Sequence, residues 1–459
     1  MANPPKSPKI PGARDLALDI LSAARRQERS VEDLLAGALG RCRDLPRPER
    51  ALLLELVQGV KRWEIKLDYF LARVSDLPLR KLHPLVHQIL RLGAYQIVML
   101  DKVPARAAVH EAGRQARARG LPRAHVGFIN AVLRRLAAGE LPPIPPLKAD
   151  PVLSLSLEYS HPAWLVQRWL ARLGLEQTRA RLRANNRIPP LTIRVNSLKT
   201  DAAGLKERLA REGVEAAPCR FSPEGLNLLA LTSPPLELPS YRDGLWLFQD
   251  EGAQLATWLL PLTPGARLLE IGAGRGGKTS HLAAALGDRG LILALDRHLR
   301  RLKELKLNLA RLEVGAAQPL VANATVALPC QAGAADAVLV DAPCSSLGII
   351  RRHPEIKSRI TEADLGTFPP RQLAMLAAAA PCLRPGGRLL YITCTSEPAE
   401  NEAVINAFLA AHPEFHLATD ASRLPAPARS LIEPPGFFRT SPEEHDLDAF
   451  FAALLAKEG

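Results

Sequence analysis

Two cysteines stand where a thiol could do chemistry. Asp341-Ala-Pro-Cys344-Ser-Ser-Leu-Gly348 follows an apolar strand-like run, Ala337–Val340. Tyr391-Ile-Thr-Cys394-Thr395 closes a second run, Arg388–Ile392. Residues just past the carboxyl ends of strands in an open α/β sheet face its ligand crevice. Asp341, Cys344 and Cys394 are therefore expected on one rim. A thiolate is a nucleophile near neutral pH when a positive neighbour lowers its pKa, and Lys278 is a candidate neighbour. One cysteine in a strand-to-turn exit means little, but two, with a carboxylate beside one, are hard to read as packing. Glu400-Asn401-Glu402, shortly after the second thiol, is expected to start or cap a helix.

A third segment, Glu270-Ile-Gly272-Ala273-Gly274-Arg275-Gly276-Gly277-Lys278-Thr279, is a glycine-rich turn between an apolar run and a helical pattern. Such glycines let backbone approach a ligand closely. Gly272 to Thr279 also satisfies the bare phosphate-loop pattern, so a nucleotide hydrolase has to be weighed. Asp296, at the end of the next strand-like run, favours the other reading, because an acidic residue about 20 positions on can accept hydrogen bonds from ribose hydroxyls. A phosphate clamp would need a further magnesium-binding aspartate, for which Asp341 is the strand-end candidate. A nucleoside cofactor held by the turn, Lys278, Asp296 and Asp341 is the expectation.

The elements that must hold these residues differ along the chain. Residues 12–139 show helical spacing, as in Leu53, Leu56, Val57 and Val60, with almost no strand signal. Leu141-Pro-Pro-Ile-Pro-Pro146 predicts a stiff extended linker. Beyond it, a helix at Ala163–Arg183, a strand at Leu191–Val195, a helix at Ala202–Glu212 and a strand at Leu245–Phe248 suggest a small α+β module. From about residue 246, strands Arg267–Ile271, Leu291–Leu295, Pro319–Ala322, Ala337–Val340 and Arg388–Ile392 alternate with helices at Leu299–Leu312 and Arg371–Leu383. That is a mostly parallel, doubly wound sheet. The expected domains are thus 1–140, all-helical; 141–150, linker; 151–245, α+β module; and 246–459, Rossmann-like.

Charge follows the same division. The chain has 459 residues and a net charge of +13, of which residues 1–150 carry +11, 151–245 carry +4 and 246–459 carry −2. A basic front on a near-neutral back suggests a polyanion-binding part joined to something else. Arg114, Arg117, Arg134 and Arg135, without interleaved aromatics, suit phosphate contact rather than base stacking. Arg351 and Arg352, behind the first thiol, are further RNA-contact candidates. No apolar run approaches the ~18 residues of a membrane span. Met1-Ala2-Asn3-Pro4-Pro5-Lys6 has no secretory core and reads as a disordered arm, so a cytoplasmic protein is expected. The six cysteines contain no CxxC pair, so neither a metal site nor a disulfide scaffold is expected.

The segments DAPCSSLGIIRRHPEIK (Asp341–Lys357) and YITCTSEPAENE (Tyr391–Glu402) strongly resemble two signatures of the RNA cytosine-C5 methyltransferases. FQDEGAQLA (Phe248–Ala256) looks like the approach to that family's cofactor motif. The chain resembles end to end the bacterial small-subunit ribosomal-RNA methyltransferase type (RsmB/Sun). Its helical front is similar to the antitermination factor NusB, with Phe128–Arg135 like that domain's closing helix and Asp448–Phe451 like the family's final strand. The resemblance implies S-adenosylmethionine as cofactor and small-subunit (16S) ribosomal RNA as partner, with a monomeric enzyme expected. It also implies roles: Cys394 adds to cytosine carbon 6, Asp341 hydrogen-bonds nitrogen 3, and Cys344 assists loss of the carbon-5 proton and enzyme release.

Two departures bear on the cofactor. The family's turn usually reads Asp-x-Cys-Ala-Ala-Pro-Gly-Gly-Lys-Thr, whereas Glu270, Gly272, Gly274 and Arg275 stand here in place of Asp, Cys, Ala and Pro. Arg275 could reach the methionine carboxylate or face solvent. Where the family has an acidic residue near the adenine, this chain has Asn323, whose carbonyl oxygen could accept from the adenine amino group. The competing readings are the same chemistry on transfer RNA and a non-catalytic RNA-binding assembly factor; the second has no need of the two thiols.

Overall fold

The computed structural model describes residues 11–25, 30–42, 44–139, 141–326 and 328–459. The arm expected at Met1–Lys6 lies outside them. The chain forms two compact units, residues 1–187 with 350–360, and residues 188–349 with 361–459.

The first unit is helical. Its helices are Ala13–Ala24, Val31–Arg41, Arg47–Val74, Pro84–Met99, Ala105–Ala118, Arg123–Ala137, Pro151–Tyr159 and Ala163–Asn185, the last interrupted at Gly174. Prolines begin several of them, where a missing N–H costs nothing; Pro84 and Pro151 lie in first turns. Leu53, Leu56, Leu67, Ile89, Leu90, Leu92, Ile129, Val132 and Leu133 pack the core. The expected boundary at the proline run is not where the unit ends. Tyr69 Oη donates to Pro143 O at 2.8 Å, and the Ile65 and Lys66 N–H groups reach Ser160 Oγ at 3.1 and 3.2 Å. Residues 151–187, expected in the α+β module, therefore belong with the helices. So does the segment 350–360: Arg62 Nη2 donates to Arg351 O at 3.0 Å, and Lys357 Nζ to Arg62 O and Asn186 Oδ1 at 3.0 and 2.7 Å.

The second unit holds two sheets. The smaller comprises β1 (Leu191–Val195), β2 (Glu215–Pro218), β3 (Gly225–Ala230) and β4 (Trp246–Phe248), antiparallel in the order β2-β3-β1-β4. The helix Ala202–Arg211 is capped by Asp201 Oδ1, which accepts from Gly204 N at 2.8 Å.

The larger sheet holds β5 (Arg267–Ile271), β6 (Leu291–Asp296), β7 (Ala317–Val321), β8 (Ala335–Asp341), β9 (Leu383–Thr393), β10 (Phe415–Leu417), β11 (Ile432–Glu433), β12 (Phe437–Arg439) and β13 (Phe451–Lys457). Its order is β11-β12-β13-β9-β8-β5-β6-β7, with β10 on β13. Strands β5 to β9 run parallel, whereas β13 is antiparallel to β9. Both faces are buried, Leu268, Ala337, Leu339, Leu390 and Ile392 on one and Leu269, Ile271, Val338, Val340 and Tyr391 on the other. This is why these strands read as continuous apolar runs. Each such side chain contributes roughly 1.5–3 kcal/mol of burial.

Two expected ends are corrected. The helix placed at Arg371–Leu383 is Phe368–Ala379, because Pro381 tightens the chain into a 3-10 turn and Leu383 already starts β9. The final strand placed at Asp448–Phe451 begins at Phe451. Asp448 and Ala449 instead bond to Thr440 and Gly348 in a connecting segment. Among the described residues no helix is long and apolar enough to cross a membrane, and no group of three His, Cys, Asp or Glu could hold a metal ion.

Candidate active site

Register decides what the strand ends present. Asp341 pairs with Ile392 across β8 and β9, so the residues after both strands emerge side by side. Cys344 Sγ and Cys394 Sγ stand 3.4 Å apart, each partly exposed. The Ser346 hydroxyl lies 3.6 Å from Cys394 Sγ, on a residue in the left-handed region at φ 60°. Gly348 locks the two loops together. Its N–H donates to Cys394 O at 3.1 Å, and a Cβ there would stand 2.2 Å from Ala449 O. Only glycine fits.

The two thiols are electrostatically unequal. The hydrogen bond from Cys344 holds Cys394 below the ordinary thiol range; burial opposes it, Ser346 assists, Asp341 opposes, and Lys278 adds the smallest of these effects. The shared hydrogen bond and burial drive Cys344 well above that range. Cys394 is thus the more acidic thiol of the pair and Cys344 the less acidic. Lys278, expected as the activating neighbour, is chiefly engaged elsewhere. Its Nζ binds Asp341 Oδ2 at 2.8 Å and lies 5.7 Å from the Phe450 ring centroid. Burial disfavours its charge, but Asp341 outweighs burial and raises its pKa.

The glycine turn connects β5 to the helix Gly277–Ala285. Gly272, at φ 86°, passes so close to β8 that a Cβ would stand 2.3 Å from Asp341 O. A Cβ at Gly274 or Gly277 would make only an ordinary contact, with Gly272 O at 3.9 Å or Gln249 Nε2 at 4.0 Å. Ala273 N and Gly272 N donate to Leu295 O at 2.9 and 2.8 Å, and Gly276 caps the helix in the left-handed region. Asp296 is buried and accepts from Gly274 N at 3.1 Å and His298 N at 2.7 Å, one bond per carboxylate oxygen. Each oxygen keeps acceptor capacity.

Glu270, beneath the turn, is fully buried with neither carboxylate oxygen hydrogen-bonded. Burial first, then Asp341 and Asp296, push its pKa up to about 7, with Thr279 and Lys278 opposing. The sequence marked it as a departure, not as a site residue; its lone charge in an apolar strand was the available signal. Phe450 carried no signal, because a distant segment brings it to Lys278.

Other expected residues fall outside this arrangement. Arg275 pairs with Glu304 at 2.6 Å on the surface, the solvent-facing alternative. Asn323 Oδ1 accepts from both Thr325 N and Thr325 Oγ1, at 3.2 and 2.8 Å, within its own turn. Asn401 precedes the helix Glu402–Ala411, but its side chain does not cap it. In the helical unit Arg351 is 1% exposed, which removes it from any RNA-contacting surface. Arg352 is half-buried. Arg114 is tied to Asp15 and Glu111, and Arg135 to Asp76, leaving Arg117 and Arg134 as the exposed members of the expected set.

Comparison with known proteins covers the whole chain. Residues 256–456 match the family model of 16S rRNA methyltransferase RsmB/F, 11–138 match the NusB family, and 161–233 match the ferredoxin-like domain of RsmF/B-like methyltransferases. The chain is 33% identical to a "Probable ribosomal RNA small subunit methyltransferase B" of Bacillus subtilis, covering 98% of this chain and 100% of that one. It is 34% identical to the "Ribosomal RNA small subunit methyltransferase B" of Pseudomonas putida, covering 98% of each. Among solved structures, PH0851 superposes with a TM-score of 0.83 at 26% identity over 100% of both chains. NSun6 from Pyrococcus horikoshii with SFG matches 65% of this chain and 98% of its own, with a TM-score of 0.56 at 22% identity, a likeness of fold.

Proposed function

The chain belongs to the RsmB/F family of 16S rRNA methyltransferases, and on that premise we propose that it methylates carbon 5 of cytosine in small-subunit ribosomal RNA through a covalent adduct at Cys394. The observation that carries this reading is the thiol pair, 3.4 Å apart and unequal in acidity, on the rim shared by β8 and β9.

The residues present fit S-adenosylmethionine. A Cβ at Gly274 or Gly277 would meet nothing nearer than 3.9 Å, Glu270 carries two buried oxygens without hydrogen-bond partners, and Asp296 stands at the end of β6. Acidic groups suit a cationic sulfonium with an ammonium group. Gly272, Ala273, Gly274, Gly276, Gly277, Glu270 and Asp296 would hold it. When bound, the cofactor supplies an electrophilic methyl group.

Carbon 5 of cytosine is a poor nucleophile until a group adds at carbon 6. The Cys394 thiolate makes that bond and turns carbon 5 into an enamine-like donor. Addition at carbon 6 makes nitrogen 3 basic, so it takes up a proton from solvent, and the Asp341 carboxylate, steadied by Lys278, accepts the hydrogen bond from that N3–H and favours the adduct. Cys344, its own proton passed to solvent once the Cys394 charge has gone into the carbon–sulfur bond, is placed to take the carbon-5 proton and restore the aromatic ring as Cys394 departs. The target base has to be unstacked to reach this rim.

Undermethylated small-subunit RNA and methyl-labelled S-adenosylmethionine test the proposal. Cys394→Ala abolishes transfer, while Cys344→Ala accumulates a covalent protein–RNA complex visible on a denaturing gel. Undiminished transfer by Cys394→Ala would refute the nucleophile. Transfer to transfer RNA alone would move the substrate, and tight RNA binding without transfer would favour an assembly factor.

A further inference from the structure

The loops bearing the two thiols are joined by a buried carboxylate that takes no part in the chemistry. Glu400 is 1% exposed, and four donors converge on it. The Ser345 N–H reaches Oε2 at 2.8 Å and the Ser345 hydroxyl reaches Oε1 at 2.5 Å. Thr395 Oγ1 stands 3.3 Å from Oε1 and 2.8 Å from Ser345 Oγ. Gln372 Nε2 reaches Oε2 at 3.2 Å and Pro343 O at 3.1 Å.

Ser345 directly follows Cys344, and Thr395 directly follows Cys394. The adjacent Asn401 clasps the second loop on both sides of its cysteine, accepting from Thr393 Oγ1 at 2.6 Å and donating to Thr395 O at 3.0 Å. Tyr391 Oη donates to the Glu400 carbonyl at 2.7 Å, anchoring the brace to β9 itself.

We propose that Glu400 is a positioning residue that holds the Cys344 and Cys394 loops at their working spacing, with Asn401 fixing the nucleophile's own loop. The Ser345 N–H and Gln372 Nε2 can only donate, whereas the Ser345 and Thr395 hydroxyls can donate or accept, and the carboxylate offers an acceptor oxygen to each pair. An amide keeps an acceptor for the two N–H groups but turns its NH2 toward the hydroxyls, which reverses the short Ser345 Oγ–Oε1 bond and loosens the brace. Displacing a reacting group by about 1 Å can cost on the order of 100-fold in rate. This inference rests on the reading of Cys394 and Cys344 as the working thiols.

The test compares full-length wild type with Glu400→Gln and Glu400→Asp. Dibromobimane, which fluoresces only once both its arms have reacted, reports thiol spacing, with the bridged peptides identified by mass spectrometry. Glu400→Gln is expected to bind S-adenosylmethionine as wild type does and to keep its KM for RNA. Its kcat falls about 10- to 100-fold. The Cys344–Cys394 bridge forms several-fold more slowly, and Glu400→Asp recovers part of both losses. A folded Glu400→Gln with wild-type bridging overturns the proposal, whatever its kcat. If the Glu400 variants do not fold, Thr395→Val removes one strut, and unchanged bridging in that variant overturns it equally. Should wild type transfer no methyl group to any RNA, the functional reading falls while the bridging comparison still decides the brace.

Discussion

The two ends of the rim are built on opposite principles. Around the thiols most polar atoms are spent, Gln372 Oε1 excepted: Glu400 accepts from Ser345, Thr395 and Gln372, Asn401 clasps Thr393 and Thr395, and Gly348 ties Cys394 to the connecting segment. Across the crevice the glycine turn is underspent. Both Glu270 oxygens are buried without a hydrogen-bond partner, a Cβ at Gly274 or Gly277 would meet nothing nearer than 3.9 Å, and Arg275 is drawn away to Glu304. A satisfied network makes a rigid platform, whereas an unsatisfied buried group is costly and signals a ligand not yet counted. The chemical end is therefore preorganised, and the cofactor end stores cost that binding can recover. The Lys278–Asp341 pair stands at the junction and belongs to both.

The largest break in this contrast comes from that junction. Asp341→Ala leaves Lys278 without its counter-charge, which costs roughly 2–4 kcal/mol, less than a fully buried pair would lose because Asp341 is about a third exposed. Denaturant unfolding should show this loss, and methyl transfer should disappear with it. A wild-type unfolding midpoint would mean that the pair is surface decoration.

Glu270 tests the cofactor end by pH. The folded protein keeps its proton up to about 7, whereas the unfolded chain releases it near the ordinary carboxyl value of 4.5. Its contribution is complete below about 4.5 and is lost as pH rises to about 7, a span worth on the order of 3 kcal/mol. Glu270→Gln should remove that decline from the ligand-free protein's stability profile while weakening cofactor binding. Parallel profiles for the two proteins would show that the carboxyl is ordinary. The smallest effect is expected at Arg275→Ala. A surface ion pair contributes ~0.2–1 kcal/mol, so cofactor affinity by titration calorimetry should stay near wild type. A large loss there would place Arg275 in the cofactor cradle after all.

Much of this was legible beforehand. Arg267–Ile271 and Leu299–Leu312 fall where their patterns put them, because a strand buried on both faces and a helix with one apolar stripe leave unmistakable spacing. The edge strand β2 and its inner neighbour β3 were not, since short strands look like loops until a neighbour pairs with them. Residues 151–187 pack with the helical unit although the ferredoxin-like match begins at 161, because helical periodicity says which face is buried, not against what. Asn323 was read by its donor and acceptor inventory, yet Thr325 donates to its oxygen from two residues away.

The sequence by itself determined the fold class, the two thiols, the glycine turn and the carboxylates at the strand ends, because these depend on residue type and local spacing. Tertiary structure decided which thiol is the more acidic, which carboxylate is buried apart from hydrogen-bond donors, and which of the arginines stay exposed. Those properties depend on distances between segments far apart in the chain. Cys394 lies below the ordinary thiol range because β8 and β9 run in register and bring Cys344 to 3.4 Å, a contact that no spacing along one strand encodes.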